Sequence, residues 1–262
     1  MLLIMAEETS SSSTKSINEL SGAHKEQMAF ILGAGPSLHF QDLEPLHNYV
    51  TFAVNSGLLK MPDCDYFVTD DGAAADWNYF RDTAKNSHCK KLLFRAKLKK
   101  SASHFRQNEV FWYDHVREHS PDFDGANLNG YEMGPVNPLM AARTSAGSAV
   151  HAAHIMGCSP IVLLGCDSCH KYGKRYFWQF PKEEKAYRVN DSRPPWTKAD
   201  RGQLRGKPVD QHCIDFDVYW KRVAKANPGV NIIYASEGGL IDAFPSMKLT
   251  EVLAEYGGRT KQ

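Results

Sequence analysis

The chain has 262 residues, of which 42% are hydrophobic and 23% charged, with a formal net charge of +1. This composition excludes a disordered or collagen-like chain and suffices for a sizeable core in one large domain or two small ones. The near-zero net charge excludes a global electrostatic pull toward nucleic acid or membrane.

The opening MLLIM is too short for a signal peptide, and no run approaches the roughly 20 apolar residues of a membrane span. The Ser-rich stretch that follows predicts a disordered tail over residues 1–26. Residues 27–262 are expected to form a single domain. Met28–Leu32 is a continuous apolar run that enters Gly33-Ala34-Gly35-Pro36-Ser37, which reads as a buried strand, a glycine turn and a helix start. Tyr49–Asn55 and Asp65–Gly72 read as further strands, as do Lys91–Phe94 and Val110–Tyr113. The basic run from Lys90 to Lys100, which includes Arg95, reads either as a solvated face or as a phosphate contact. Thr144–Ser148 opens an Ala/His-rich helix that ends at Gly157. Ile161–Leu164 follows as a strand, Phe216–Ala226 as an amphipathic helix, Asn231–Ala235 as a strand and Leu249–Tyr256 as a closing helix. Strands alternating with helices predict an α/β fold: a Rossmann-like, mostly parallel sheet with helices on both faces. Residues 171–208 are rich in Lys, Arg, Pro and aromatics without a period, which predicts a long lid-like insertion.

Six cysteines in a chain read as lacking a secretion signal predict reduced thiols and a cytoplasmic protein. Cys166-Asp167-Ser168-Cys169-His170 has the C-x-x-C-H spacing of haem attachment, and also that of a redox pair or half a zinc site. Cys166 follows directly on a core strand, and Cys64, Cys89 and Cys213 are isolated. The stretch therefore reads as a strand opening into a site loop, with Asp167 as its informative residue.

In an open parallel sheet, ligands bind beyond the carboxyl ends of the strands. Gly33–Ser37, Asn55, Thr69–Asp71 and Gly165–His170 all fall there, and the helix start at Thr144–Ser148 joins them. The glycine turn suits an anion or is a plain tight turn. Thr144, Ser145 and Ser148 offer more hydroxyls than one helix cap needs. Asp70 and Asp71 suit Mg²⁺, a ribose or base contact, or an Asx turn. His151 and His154 read as packed or solvated histidines.

Taken together, GAGPSL, Asn55, the Thr-Ser-x-Gly helix start and GCSPIVLLGCD resemble one superfamily. It holds the Campylobacter-type bacterial sialyltransferases, the motility-accessory-factor flagellin glycosyltransferases and the 6-hydroxymethylpterin diphosphokinase-like proteins. The resemblance covers roughly residues 28–72 and 144–245. It implies that Gly33, Gly35, Pro36 and Ser37 line a nucleotide phosphate or ribose, and that Asn55, Asp70, Ser145 and Gly147 contact the donor. It also implies that Asp167 holds the nucleotide and that His212 is the general base. Ala34 and Asp70 replace asparagines of the family. Cys169 stands where the sialyltransferases carry a phosphate-steadying tyrosine, so Tyr172 or Tyr176 becomes the substitute.

The expected function is therefore glycosyl transfer from a nucleotide-activated sugar to an acceptor hydroxyl, on a glycan or another hydroxyl-bearing molecule, with no cofactor required. Lid aromatics, including Tyr187 and Trp196, would also allow stacking of a nucleic-acid base. The alternatives are an Mg²⁺-dependent ATP pyrophosphokinase, with Asp70 and Asp71 on the metal, and a non-catalytic nucleotide-binding protein. A homo-oligomer is compatible with the sequence.

Overall fold

The computed structural model describes residues 15–71, 88–89, 91–98, 102, 109–116, 128, 130–141, 143–182 and 202–261. Its centre is an eight-stranded sheet whose neighbouring strands all run parallel. The strands are β1 (Lys15–Ser16), β2 (Ala29–Leu32), β3 (Val50–Val54), β4 (Tyr66–Thr69), β5 (Lys91–Arg95), β6 (Glu109–Tyr113), β7 (Ile161–Leu164) and β10 (Ile232–Tyr234). Their order across the sheet is β1-β6-β5-β4-β3-β2-β7-β10. Two short strands, β8 (Gly202–Leu204) and β9 (Lys207–Val209), form a separate antiparallel hairpin. The longer helices among the described residues are α1 (Ser145–Ile155), α2 (Gln211–Ala226) and α3 (Leu249–Tyr256).

The central strands are apolar throughout because both sheet faces are covered. Alternate residues divide between two cores. Ala29, Ile31, Ile161 and Leu163 pack with Ala149 of α1 and with Tyr219 and Trp220 of α2. Phe30, Leu32, Val162 and Leu164 pack on the other face, with Leu38, Leu46, Phe177 and, from α3, Leu249 and Val252. The chain leaves β2 toward β3 and later returns to β2's other side as β7. The topological switch point is therefore the crevice beyond β2 and β7, where ligands of such sheets bind.

Three sequence expectations need correction. Residues 15–26 are part of the fold and not a disordered tail. β1 pairs with β6, and Ile17 and Leu20 are buried. Ser16 and Glu19 close a capping box on the turn Ile17–Leu20, so S-x-x-E was the overlooked signal. The helix expected after the glycine turn is a single 3₁₀ turn, Pro36–Phe40. The helix expected from Phe216 begins at Gln211. Of the expected lid, residues 171–182 and 202–208 are described; Tyr187 and Trp196 lie outside the described residues.

Candidate active site

The loops beyond β2, β3, β4 and β7 and the first turns of α1 and α2 enclose a cavity of about 540 Å³. At the switch point, two loops meet closely. Gly33 N–H donates to Leu164 O at 2.8 Å and Gly35 N–H to Gly165 O at 2.7 Å. A Cβ on Gly35 would lie 2.0 Å from Asp167 Oδ2. Close loop packing thus accounts for this glycine.

Asp167 is buried and accepts Ser37 N–H at 3.1 Å and Ser37 Oγ–H at 2.9 Å. Burial pushes its carboxyl up to about 7, with the Ser37 bonds and the Lys171 charge acting in the opposite sense. Gly33, Gly35 and Asp167 line the cavity, whereas Pro36 and Ser37 sit behind that wall.

Asn55 follows β3 in the left-handed region, with φ of 50°, and its Oδ1 accepts Thr69 Oγ1–H at 2.7 Å. Both it and the pair Asp70–Asp71 face the cavity. Asp70 is tied to α1. Its N–H donates to Ser145 Oγ at 3.0 Å, and its Oδ2 accepts Ser148 Oγ–H at 2.6 Å. Thr144 caps the helix through Ala146 N–H. The surplus hydroxyls of this helix start therefore fasten α1 to the end of β4. Gly147 lies outside the cavity lining: a Cβ there would lie 2.0 Å from the Tyr219 hydroxyl of α2. His151 Nδ1 accepts Met140 N–H at 2.7 Å, so its Nε2 donates to Gly134 O at 2.8 Å. That bonding, not metal ligation, accounts for this histidine.

His212, the second residue of α2, is exposed on the cavity side, and its ring lies over Phe216. Tyr176 also lines the cavity, stacked on Trp178 at 5.3 Å. Tyr172 does not reach it. This residue sits 75% exposed at the tip of the Lys171–Lys174 turn, against Phe40.

All six cysteines are free. Burial raises the thiols of Cys166 and Cys169 to about 12 and about 11, so both are protonated at neutral pH. Among the described residues, His170, Asp210 and Cys213 bring donor atoms within 4.8 Å of one another. Asp210 is already engaged: Oδ2 lies 2.5 Å from Arg175 Nη1 and 3.5 Å from His170 Nε2, and Oδ1 accepts Cys213 N–H. The hydrogen bonds to Asp210 and Cys213 raise His170 to about 10 against its burial. Burial alone would raise Asp210, but the His170 and Cys213 bonds and the Arg175 charge hold it far below the carboxylate range. A metal would have to displace Arg175. The cluster is better explained as an ion-pair knot that ties the start of the lid to the cap of α2.

Sequence reasoning overlooked Arg143; Arg95 entered only as a member of the basic run, and Arg175 only as part of the Lys- and Arg-rich lid. All three line the cavity together with Asp70, Asp71 and Asp167, and Arg175 is also paired with Asp210. Arg143 directly precedes the Thr144 cap, and that adjacency was the available signal.

The family model for 6-hydroxymethylpterin diphosphokinase MptE-like proteins matches residues 5–173, nearly two thirds of the chain. The chain belongs to this MptE-like family. The match runs through residues 73–143, which the sequence resemblance did not cover. Among solved structures, the MAf glycosyltransferase from Magnetospirillum magneticum AMB-1 is similar at 13% identity with a TM-score of 0.53. The similarity covers 92% of this chain but 38% of that one, and at this identity it concerns the fold. No curated protein matches. Among the described residues, no helix of this MptE-like chain is long and apolar enough to cross a membrane. The family description and the structural neighbour's title both name enzymes of group transfer.

Proposed function

We propose that the protein is a glycosyltransferase that takes a nucleotide-activated sugar and passes the sugar to an acceptor hydroxyl. One observation carries this reading: Arg95, Arg143 and Arg175, the N-terminus of α1 and the imidazole of His212 converge on one cavity at the switch point. Guanidinium groups and a helix N-terminus match donor phosphates. The acceptor oxygen bonds to the anomeric carbon as the bond from that carbon to the phosphate oxygen breaks. His212 takes the hydroxyl proton, and the arginines stabilise the charge left on the departing phosphate. Tyr176, beside Arg175, would orient that phosphate. The fold neighbour's title supports the sugar reading, and the acceptor on this view is a glycan or a similar polyhydroxylated molecule.

The family description favours a second reading, ATP-dependent diphosphoryl transfer, in which Asp70 and Asp71 would hold Mg²⁺. Asp70 fits that role poorly, because Arg95 and Arg143 line the same cavity and would repel a cation held there. Thermal shift with CMP, UDP, GDP, ADP and ATP, each with and without Mg²⁺, separates the two. A bound nucleotide at 100 times its Kd adds about 2.7 kcal/mol of stability. We expect stabilisation without Mg²⁺, and donor turnover that His212→Ala lowers by about 10²–10⁴-fold. Turnover abolished by EDTA but spared in His212→Ala would overturn the glycosyltransferase reading.

A further inference from the structure

The proposed reaction leaves a buried polar cluster behind Asp70 unused. Tyr113 ends β6, His115 follows two residues later, and Ser148 lies in the first turn of α1. The Tyr113 hydroxyl donates to Asp70 Oδ1 at 2.7 Å, and Ser148 Oγ–H donates to Oδ2 at 2.6 Å. His115 Nε2 lies 2.8 Å from Ser148 Oγ and 3.5 Å from Asp70 Oδ1. Ser148 has one hydroxyl proton, and Asp70 takes it. The proton between His115 and Ser148 therefore belongs to His115 Nε2, which fixes the tautomer.

Burial, reinforced by the Asp70 charge, raises Tyr113 well above the usual phenol range. Burial also lowers His115 from its ordinary value, against the pull of Asp70. Both are thus neutral donors at neutral pH. They belong to the stretch between the two recognised blocks of sequence, and they converge on Asp70 from a different element than Ser145 and Ser148.

A carboxylate offers about four acceptor positions. Tyr113 and Ser148 occupy one on each oxygen, which leaves acceptor capacity on a residue that lines the cavity. A cation at that place would meet the repulsion of Arg95 and Arg143, whereas a pair of neutral hydroxyls would not. We infer that Tyr113, His115 and Ser148 are positioning residues that hold Asp70 as the acceptor for a vicinal diol, the 2′- and 3′-hydroxyls of a nucleotide ribose. This assignment rests on the nucleotide reading of the cavity.

The test is calorimetric titration of the full chain with CDP, UDP, GDP and ADP and with their 2′,3′-dideoxy counterparts. The best ribonucleotide is expected to bind about ten-fold or more tightly than its dideoxy form, since a site built for a hydroxyl discriminates against its loss. Tyr113→Phe and His115→Ala should bring ribonucleotide affinity down to the dideoxy level while dideoxy affinity holds. His115→Gln, which keeps an N–H near the Nε2 position, should retain the preference. A wild-type chain that binds both forms equally overturns the diol assignment and leaves the nucleotide reading intact, and this arm needs no variant to fold. Preference that survives both Tyr113→Phe and His115→Ala overturns the positioning role, as does equal loss of both affinities. If no nucleotide binds, both the inference and the nucleotide reading fail.

Discussion

Asp167 experiences two opposed influences. Burial raises its carboxyl to about 7, although Ser37 donates to it twice. In the unfolded chain an aspartate titrates near ~3.9. The folded state therefore binds the extra proton between those values. Stability from this group is fully present below about pH 4 and is lost as the pH rises to about 7, at up to about 1.4 kcal/mol per pH unit. Asp167→Asn removes the titration and can still bond Ser37, with its carbonyl accepting the N–H. Urea denaturation from pH 4.5 to 7.5 should show the variant gaining on the wild type as the pH rises. Parallel stability profiles would refute the assignment. The position of Asp167 at the cavity was legible in the sequence, because a polar residue directly after a core strand and its glycine falls at the carboxyl edge of the sheet. Its bond to Ser37 was not legible, since 130 residues separate the two and only the pairing of β2 with β7 joins them.

At the scale of elements, α1 and α2 meet at one glycine. Gly147 admits the Tyr219 hydroxyl so closely that an added Cβ would lie 2.0 Å from it and 2.9 Å from the ring carbon that bears it. Gly147→Ala should destabilise the chain by about 1–3 kcal/mol through overpacking. Tyr219→Phe removes the nearer obstacle, so the double variant should recover part of the loss, with a coupling of about 1 kcal/mol. Additive losses in a denaturation cycle would contradict direct contact. The strands themselves were readable because continuous apolar runs bounded by polar residues mark strands buried on both faces. The first residues of α2 were harder to read. Gln211, His212, Asp215 and Phe216 do not show a clean apolar stripe there, and the Asp210 cap that starts the helix is visible as a cap only through its bond to Cys213 N–H. The network on Asp70 was illegible for a related reason. Its members come from β4, β6 and α1, and no local spacing links Tyr113 to Ser148.

For the whole molecule, the edge of the sheet decides how much the N-terminal segment matters. Lys15 and Ser16 pair with Phe111 and Trp112 of β6, and the following turn places Ile17 and Leu20 in the core beside α1. The segment is pinned further where Gly22 N–H and His24 N–H donate to the carbonyls of Ile155 and Met156 at the end of α1. His24 also bonds Tyr66 through Nε2 at 2.8 Å. The segment therefore spans β6, α1 and β4, and removing it would uncover three elements together. Burying an aliphatic side chain stabilises a fold by about 1.5–3 kcal/mol. Deletion of residues 1–22 should therefore cost about 3–6 kcal/mol, read as a lower urea midpoint in equilibrium denaturation. Ile17→Asn in the full chain should lose about half of that and bind nucleotide with unchanged affinity once folded, because no described residue of the segment lines the candidate site. A truncated chain as stable as the full one would mean that β1 and its turn contribute nothing to the core they cover.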